Sequence, residues 1–92
     1  MQFMVYCLDK PESGAVRAAT RAAHLEYLKG FMDNIVVAGP LLTEDGQTMI
    51  GSLFLVEFPG RGDAERFSSG DPYRKAGLFQ SVTITPWRKV LP

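Results

Sequence analysis

The chain has 92 residues, of which 46% are hydrophobic and 22% charged, and ten basic side chains offset ten acidic ones. This size and composition predict one globular domain and exclude a disordered chain. Without a basic excess, binding to nucleic acid or to an anionic membrane surface is not expected. A domain this small buries only about 60–65% of the surface that its unfolded chain exposes, so oligomerisation is an expected source of stability.

Cys7 is the only cysteine. No disulfide can therefore form within the chain, and the apolar run around Cys7 predicts a buried side chain. The N-terminus has no charged segment followed by an apolar one, and no apolar stretch approaches the length of a membrane-spanning helix. We therefore expect a cytoplasmic protein. The sequence also lacks zinc-type clusters, a Walker loop and a glycine-rich dinucleotide motif, so no cofactor is expected.

A strand and then a helix are predicted in the first third of the chain. Residues 2–8 alternate as a strand does, and residues 9–14 have turn chemistry. Residues 15–32 follow a helical period, with Ser13 as the predicted N-cap. The predicted buried stripe of this helix comprises Val16, Ala19, Ala23, Tyr27 and Phe31, widened by Leu28 and Met32.

The remainder of the chain predicts two strands joined by a hairpin, a short helix, a helical turn and a last strand. Their predicted ranges are residues 35–42, 49–58, 63–68, 72–76 and 79–91. Asp71 precedes Pro72, and this pair is typical of a cap and a first helical position. The order β-α-β-β-α-β predicts an α+β domain with the ferredoxin-like arrangement.

The strands are apolar on both faces of the predicted sheet. In this topology both helices cover the same face, so a face in contact with water should be polar. Instead, strand one is apolar on both sides, and Leu53 and Leu55 alternate with Phe54 and Val56 in the third strand. We therefore expect a second copy of the sheet to cover the open face.

Two side chains stand out as candidates for acid–base chemistry. His24 is the sole histidine and lies at the border of the apolar stripe, in a band with Arg17, Arg21 and Leu28. Imidazole exchanges protons near neutral pH, so His24 could act from a cleft or could simply be a half-exposed helix residue. Asp71 could orient one nitrogen of the imidazole or could serve only as a helix cap.

Several other residues could surround or bind a ligand. Glycines at 39 and 51 either shape turns and strand edges or let the backbone approach a ligand closely, and Ser52 could donate a hydrogen bond to it. Arg17 and Arg21 could hold a carboxylate or phenolate, or could be solvated. The aromatic residues that could line a pocket, or could belong to the core, are Tyr6, Phe54, Phe79 and Trp87.

Short segments in a fixed order resemble the YCII-related family over nearly the whole chain. They are RAAHLEYL at 21–28, AGPL at 38–41, DG at 45–46, GS at 51–52, DPY at 71–73, AGL at 76–78 and VTITPW at 82–87. The resemblance implies a ferredoxin-like fold that dimerises sheet to sheet as a dimeric α/β barrel. It also implies an enzyme with a paired histidine and aspartate in a cleft, at positions corresponding to His24 and Asp71. One related member removes chloride from a chlorinated hydroxylated aromatic ring, and muconolactone isomerases share the fold.

The first hypothesis is therefore a small cofactor-independent enzyme of the lyase, isomerase or dehydrochlorinase type, acting on a small cyclic or aromatic metabolite. His24 is its predicted acid or base, and Asp71 orients the imidazole. The predicted substrate-binding residues are Ser52, Gly39, Pro40 and Tyr73. The expected partners are a second copy, through the sheet face, and a small-molecule ligand. The alternatives are a non-catalytic small-molecule-binding dimer and an accessory subunit of another protein.

Overall fold

A computed structural model describes all 92 residues. Its elements are β1 Gln2–Asp9, α1 Gly14–Lys29, β2 Ile35–Leu42, β3 Met49–Glu57, α2 Arg61–Gly70, α3 Pro72–Lys75 and β4 Phe79–Trp87. The short α3 follows α2 directly, so the chain keeps the β-α-β-β-α-β order. The predicted ferredoxin-like α+β fold is thereby confirmed. No helix is both long enough and apolar enough to cross a membrane.

The sheet has the order β2-β3-β1-β4, and every neighbouring pair is antiparallel. Side chains alternate across it, so one set from β1 and β3 faces the helices. The core between the sheet and the helices consists of Phe3, Val5, Cys7, Leu28, Phe54, Val56, Phe58, Ala64 and Phe67. Cys7 is 1% exposed, in agreement with its predicted burial.

The opposite face of the sheet carries no helix. Met4 lies opposite Leu55 and Tyr6 lies opposite Leu53 across the β1–β3 pair, and all four side chains remain half-buried. The sheet therefore presents an apolar surface at its centre, as the alternation of both strands predicts. The predicted sheet-to-sheet partner stays a prediction.

The predicted buried stripe of α1 is wrong in part. Val16, Ala19 and Ala23 are exposed, whereas the fully buried residues of the helix are Arg17, His24 and Leu28. Apolar periodicity missed this face because two of its three residues are polar. Polar side chains can occupy a buried face when each finds a hydrogen-bonding partner elsewhere in the fold.

Ser13 agrees with its predicted N-cap position, whereas the end of the last strand differs from the prediction. Ser13 does occupy the N-cap position of α1, but its side chain makes no capping bond, and its hydroxyl donates to the carbonyl of Pro11 at 3.3 Å. The last strand ends at Trp87 rather than at residue 91. Beyond Trp87 the chain has no neighbouring strand with which to pair, because β1 begins at Gln2, the partner of Trp87.

Candidate active site

The centre of the candidate site is a buried pair formed by His24 of α1 and Asp71 at the start of α3. The Nδ1 atom of His24 lies 2.8 Å from Oδ1 of Asp71. The two side chains are only 8% and 3% exposed. Since a carboxylate accepts hydrogen bonds, this contact places a proton on Nδ1 and leaves the lone pair of Nε2 free when the ring is neutral.

Asp71 also caps α3. Its Oδ1 accepts a hydrogen bond from the backbone N–H of Tyr73 at 2.9 Å, and Pro72 takes the first helical position. One carboxylate oxygen thus meets both roles that the sequence left open for Asp71. The cap fixes the position of the carboxylate, and the carboxylate in turn fixes the orientation of the imidazole.

Aromatic rings hold the His24 side chain from two sides. The Tyr73 ring stacks on the imidazole with a centroid distance of 3.9 Å and an interplanar angle of 16°. Phe54 meets it edge-on at 6.0 Å and 79°. These contacts restrict rotation of the ring, so the nitrogen atoms keep their positions relative to the cleft.

A cleft of about 240 Å³ opens beside this pair, between α1, β2, β3 and α3. Its lining residues are Arg17, Arg21, His24, Leu25, Leu28, Ala38, Gly39, Pro40, Met49, Ser52, Phe54 and Tyr73. Six site residues were predicted, and five of them line this cleft: His24, Gly39, Pro40, Ser52 and Tyr73. The sixth, Asp71, contacts His24. The cleft is half apolar, which suits a ring-shaped ligand better than a highly charged one.

Of the four aromatic residues considered as pocket lining, only Phe54 lines the cleft. Tyr6 and Trp87 lie on the open face of the sheet, since their register pairs are Leu53 and Gln2. Phe79 packs edge-on against Tyr73, at 6.1 Å and 77°. Alternation places Tyr6 and Leu53 on the face opposite Phe54, and the register shift between Leu8 and Asp9 interrupts this alternation where Phe79 pairs with β1.

Arg17 is a buried part of the site rather than a solvated helix residue. Its Nε and Nη2 atoms donate to the two carboxylate oxygens of Asp9 at 2.7 and 3.0 Å. Its guanidinium carbon lies 4.6 Å from the centre of the Tyr73 ring. Burial disfavours the charged guanidinium, but the hydrogen bonds and charge of Asp9 outweigh it, and the pKa of Arg17 is raised. Arg17 is therefore a permanent cation at the base of the cleft.

Sequence reasoning missed the role of Asp9, which had the pattern of an ordinary turn residue. Arg17 and Arg21 stand one helical turn apart, and apolar periodicity does not distinguish them. The structure does, since Arg17 is 6% exposed and Arg21 is exposed to solvent. The one available signal is the acidic residue at the end of β1, which the β1–α1 turn brings back to the first turns of the helix.

Ser52 reaches the cleft from β3, where it accepts a hydrogen bond from Nη2 of Arg17 at 3.0 Å. Gly51 precedes it at a point where three strands run close together. A Cβ atom at Gly51 would overlap the carbonyl oxygen of Cys7 and the side chain of Leu41. The glycine thus allows β3 to lie near enough to β1 and β2 to place Ser52 at the cleft.

No group of three or more His, Cys, Asp or Glu side chains is arranged to hold a metal ion. The polar groups that line the cleft are the imidazole, the hydroxyl groups of Ser52 and Tyr73, and the two arginines. The Nε2 atom of His24 makes no hydrogen bond to the protein, and no fully buried side-chain nitrogen or oxygen lacks a partner. Nε2 is consequently accessible from the cleft.

Comparison with known proteins gives a consistent set of relatives. The sequence model of the YCII-related domain family matches residues 1–88 of this chain. Protein YciI of Escherichia coli O6:H1 is 31% identical over 97 residues, which cover 98% of this chain and 99% of the relative. Among solved structures, the 5-chloro-2-hydroxyhydroquinone dehydrochlorinase of Burkholderia phenoliruptrix, in complex with 2,5-dihydroxybenzoquinone, aligns with a TM-score of 0.89 and 36% identity. That alignment covers 96% of this chain and 94% of the dehydrochlorinase.

More distant structures share only the fold. An antibiotic biosynthesis monooxygenase aligns over 98% of both chains with a TM-score of 0.57, but at 12% identity. A protein of Mycobacterium tuberculosis aligns with a TM-score of 0.52 at the same identity, over 98% of this chain and 97% of its own. These likenesses support the ferredoxin-like architecture and say nothing about substrate.

Proposed function

Since this chain belongs to the YCII-related family, as its match over residues 1–88 and its YciI relatives show, we propose that it is a small enzyme that transfers a proton to or from a hydroxylated ring. The observation that carries the proposal is the buried contact of 2.8 Å between His24 and Asp71 at the wall of a cleft. The dehydrochlorinase likeness supports a ring-shaped substrate.

The size of the cleft fits this class of ligand. Benzene occupies apolar protein cavities of about 150 Å³. The cleft measures about 240 Å³, which leaves room for one six-membered ring with a few small substituents. A fused or extended substrate would have to protrude through the open side.

His24 acts as the proton acceptor in this proposal. Asp71 holds the Nδ1–H, so Nε2 faces the ligand with its lone pair and takes the proton of a ring hydroxyl. In a chlorinated hydroquinone, Nε2 first takes a hydroxyl proton and returns it to the ring carbon that carries chlorine, which gives the keto tautomer. Nε2 then takes the proton of a second hydroxyl, whose electron pair forms a carbonyl, and as the ring double bonds shift, chloride leaves with the electron pair of the C–Cl bond. The net change is loss of HCl. Asp71 stabilises the imidazolium that forms.

The direct test is chloride release from 5-chloro-2-hydroxyhydroquinone by the wild-type chain and by His24→Gln. Glutamine preserves most of the buried volume but cannot take the proton, so we expect the kcat of this variant to fall by about 100-fold or more. Glu26→Gln, an exposed change on the same helix, is the matched control and should keep full activity. Equal rates for His24→Gln and wild type would contradict the proposal.

Asp71→Asn tests the orienting role by nitrogen NMR of the single histidine ring. In wild type we expect the proton of the neutral ring on Nδ1. In the variant the amide can present either a donor or an acceptor, so we expect a mixture of the two tautomers and a lower kcat. An unchanged tautomer would refute the orienting role. Ligand binding without turnover in wild type would favour the alternative, a non-catalytic binding module.

A further inference from the structure

Ser52 has a hydrogen-bond donor that the proposed proton transfer does not use. Its Oγ accepts from Nη2 of Arg17 at 3.0 Å, and a guanidinium can only donate. The hydrogen of the serine therefore remains available, and no protein group accepts it. Ser52 is 3% exposed and lines the cleft. Because a buried donor without an acceptor is unfavourable, this hydroxyl is suited to a ligand that brings an acceptor.

A chain of buried polar contacts fixes Ser52 in this state. Asp9 holds the guanidinium of Arg17 through two hydrogen bonds, and the ion pair is 7% and 8% exposed at its two side chains. This fork-shaped contact has little rotational freedom. It aims Nη2 at one lone pair of Ser52, so the hydrogen of the serine hydroxyl must point away from the guanidinium.

Tyr73 adds a second hydroxyl to the same cleft. The guanidinium of Arg17 lies against the Tyr73 ring and acts on the phenol oxygen as a hydrogen-bond donor, so the phenol accepts there and its own hydrogen can be donated to another group. Burial raises the pKa of Tyr73, although the charges of Arg17 and Arg21 oppose it. The phenol consequently stays protonated at neutral pH and can donate a hydrogen bond.

The positive charge of Arg21 in the cleft is not balanced by a carboxylate. Asp9 neutralises Arg17, and Asp71 is paired with His24. Arg21 also lines the cleft but has no carboxylate within ion-pairing distance. Its charge also acts on the Tyr73 phenol, which lines the same cleft. An anionic oxygen would balance this charge.

We propose that Ser52, Tyr73 and Arg21 form a subsite for an ionised ring oxygen, and that Asp9 and Arg17 are positioning residues that keep Ser52 as a donor. The ligand class is a ring carrying a phenolate or enolate oxygen, such as an ionised hydroxyquinone. The inference deepens the proposed function and rests on it for the identity of the site. It does not require that the ligand be turned over.

Calorimetric binding of 2,5-dihydroxybenzoquinone, which is ionised at neutral pH, tests the subsite. Ser52→Ala should weaken binding by about tenfold or more, the usual effect of losing a hydrogen bond to a charged group. Ser69→Ala changes an exposed serine on α2 and should bind as wild type does. Arg21→Gln should also weaken binding, and its effect should shrink as salt is added. Wild-type affinity in Ser52→Ala, or no binding by wild type at millimolar ligand, would overturn the inference.

The positioning role is tested by a double-mutant cycle. Asp9→Asn should weaken binding in the wild-type background but have little further effect in Ser52→Ala, because it acts through the serine. A purely structural effect would lower affinity equally in both backgrounds, and that result would overturn the role. If Asp9→Asn does not fold, Arg17→Lys takes its place in the cycle. Lysine keeps the positive charge but lacks the paired N–H donors with which the guanidinium contacts Asp9.

Turnover separates this inference from the proposed function. His24→Gln should lose chloride release whether or not the subsite exists, because Ser52, Tyr73 and Arg21 take no part in the proton transfer. If wild type binds the quinone in a Ser52-dependent manner but releases no chloride from 5-chloro-2-hydroxyhydroquinone, the proposed reaction fails and the subsite stands. If wild type releases chloride and Ser52→Ala binds the quinone unchanged, the reaction stands and the subsite fails.

Discussion

The thiol of Cys7 lies in the core directly behind the candidate site. Burial, reinforced by the negative charge of Asp71, raises its pKa from 9.0 to about 12. The folded chain therefore holds this proton at a pH at which the unfolded chain has released it. The resulting stabilisation is complete below about pH 9 and is lost as the pH rises towards about 12, at up to about 1.4 kcal/mol per pH unit.

We expect the free energy of unfolding, measured with urea, to decline more steeply between pH 9 and 11 for wild type than for Cys7→Ala. The alanine variant should be less stable at pH 7 because it leaves a small cavity. The comparison therefore uses the slope of the free energy of unfolding against pH and not its value at one pH. Burial also raises the pKa of Tyr27 and Tyr73, and both variants share that contribution. Parallel slopes would contradict the prediction.

At the residue scale, the sequence predicts the site only where a motif brings distant positions together. His24 and Asp71 stand 47 residues apart, and only the ordered resemblance to the YCII-related family pairs them. Arg17 has no such support and looks like any helix arginine. Its burial depends on an ion pair with Asp9, which forms only after the β1–α1 turn has brought the two residues together.

At the scale of single elements, the close approach of β3 to its neighbours depends on Gly51. We expect Gly51→Ala to destabilise the fold by about 1–3 kcal/mol, because its Cβ would meet the backbone oxygen of Cys7 and the Leu41 side chain. Gly39→Ala on β2 is the matched control, since nothing lies within 4 Å of its added Cβ. Thermal unfolding measures both. A Tm for Gly51→Ala equal to that of the control would show that the strands adjust freely.

The elements themselves were more predictable than the faces they bury. Strand alternation and turn residues predict β1, β2 and β3 to within one residue at each end. The inner face of α1 was not predictable by the same means, because it buries Arg17 and His24 and exposes Val16 and Ala19. Arg17 and His24 can occupy the buried face because Asp9 and Asp71, from other elements, provide their hydrogen-bonding partners.

At the scale of the whole molecule, the open face of the sheet is an apolar surface that nothing within the chain covers. Met4, Tyr6, Leu53 and Leu55 form a central apolar patch that no helix covers. Val37, on the neighbouring strand and paired with Leu55, is 54% exposed. Contiguous apolar patches on a sheet typically mark an interface. We propose that a second copy packs its own sheet against this face.

Leu53→Glu places a charge at the centre of this patch, and in a symmetric dimer the charge occurs twice. We expect light scattering to give a dimer for wild type and a monomer for Leu53→Glu at the same micromolar concentration, since two buried like charges are strongly unfavourable. Val16→Glu, an exposed apolar residue on α1, is the matched control and should remain dimeric. If Val16→Glu dissociates while Leu53→Glu does not, the copies meet through the helices. The apolar sheet face would then need a different partner, as the accessory-subunit alternative predicts.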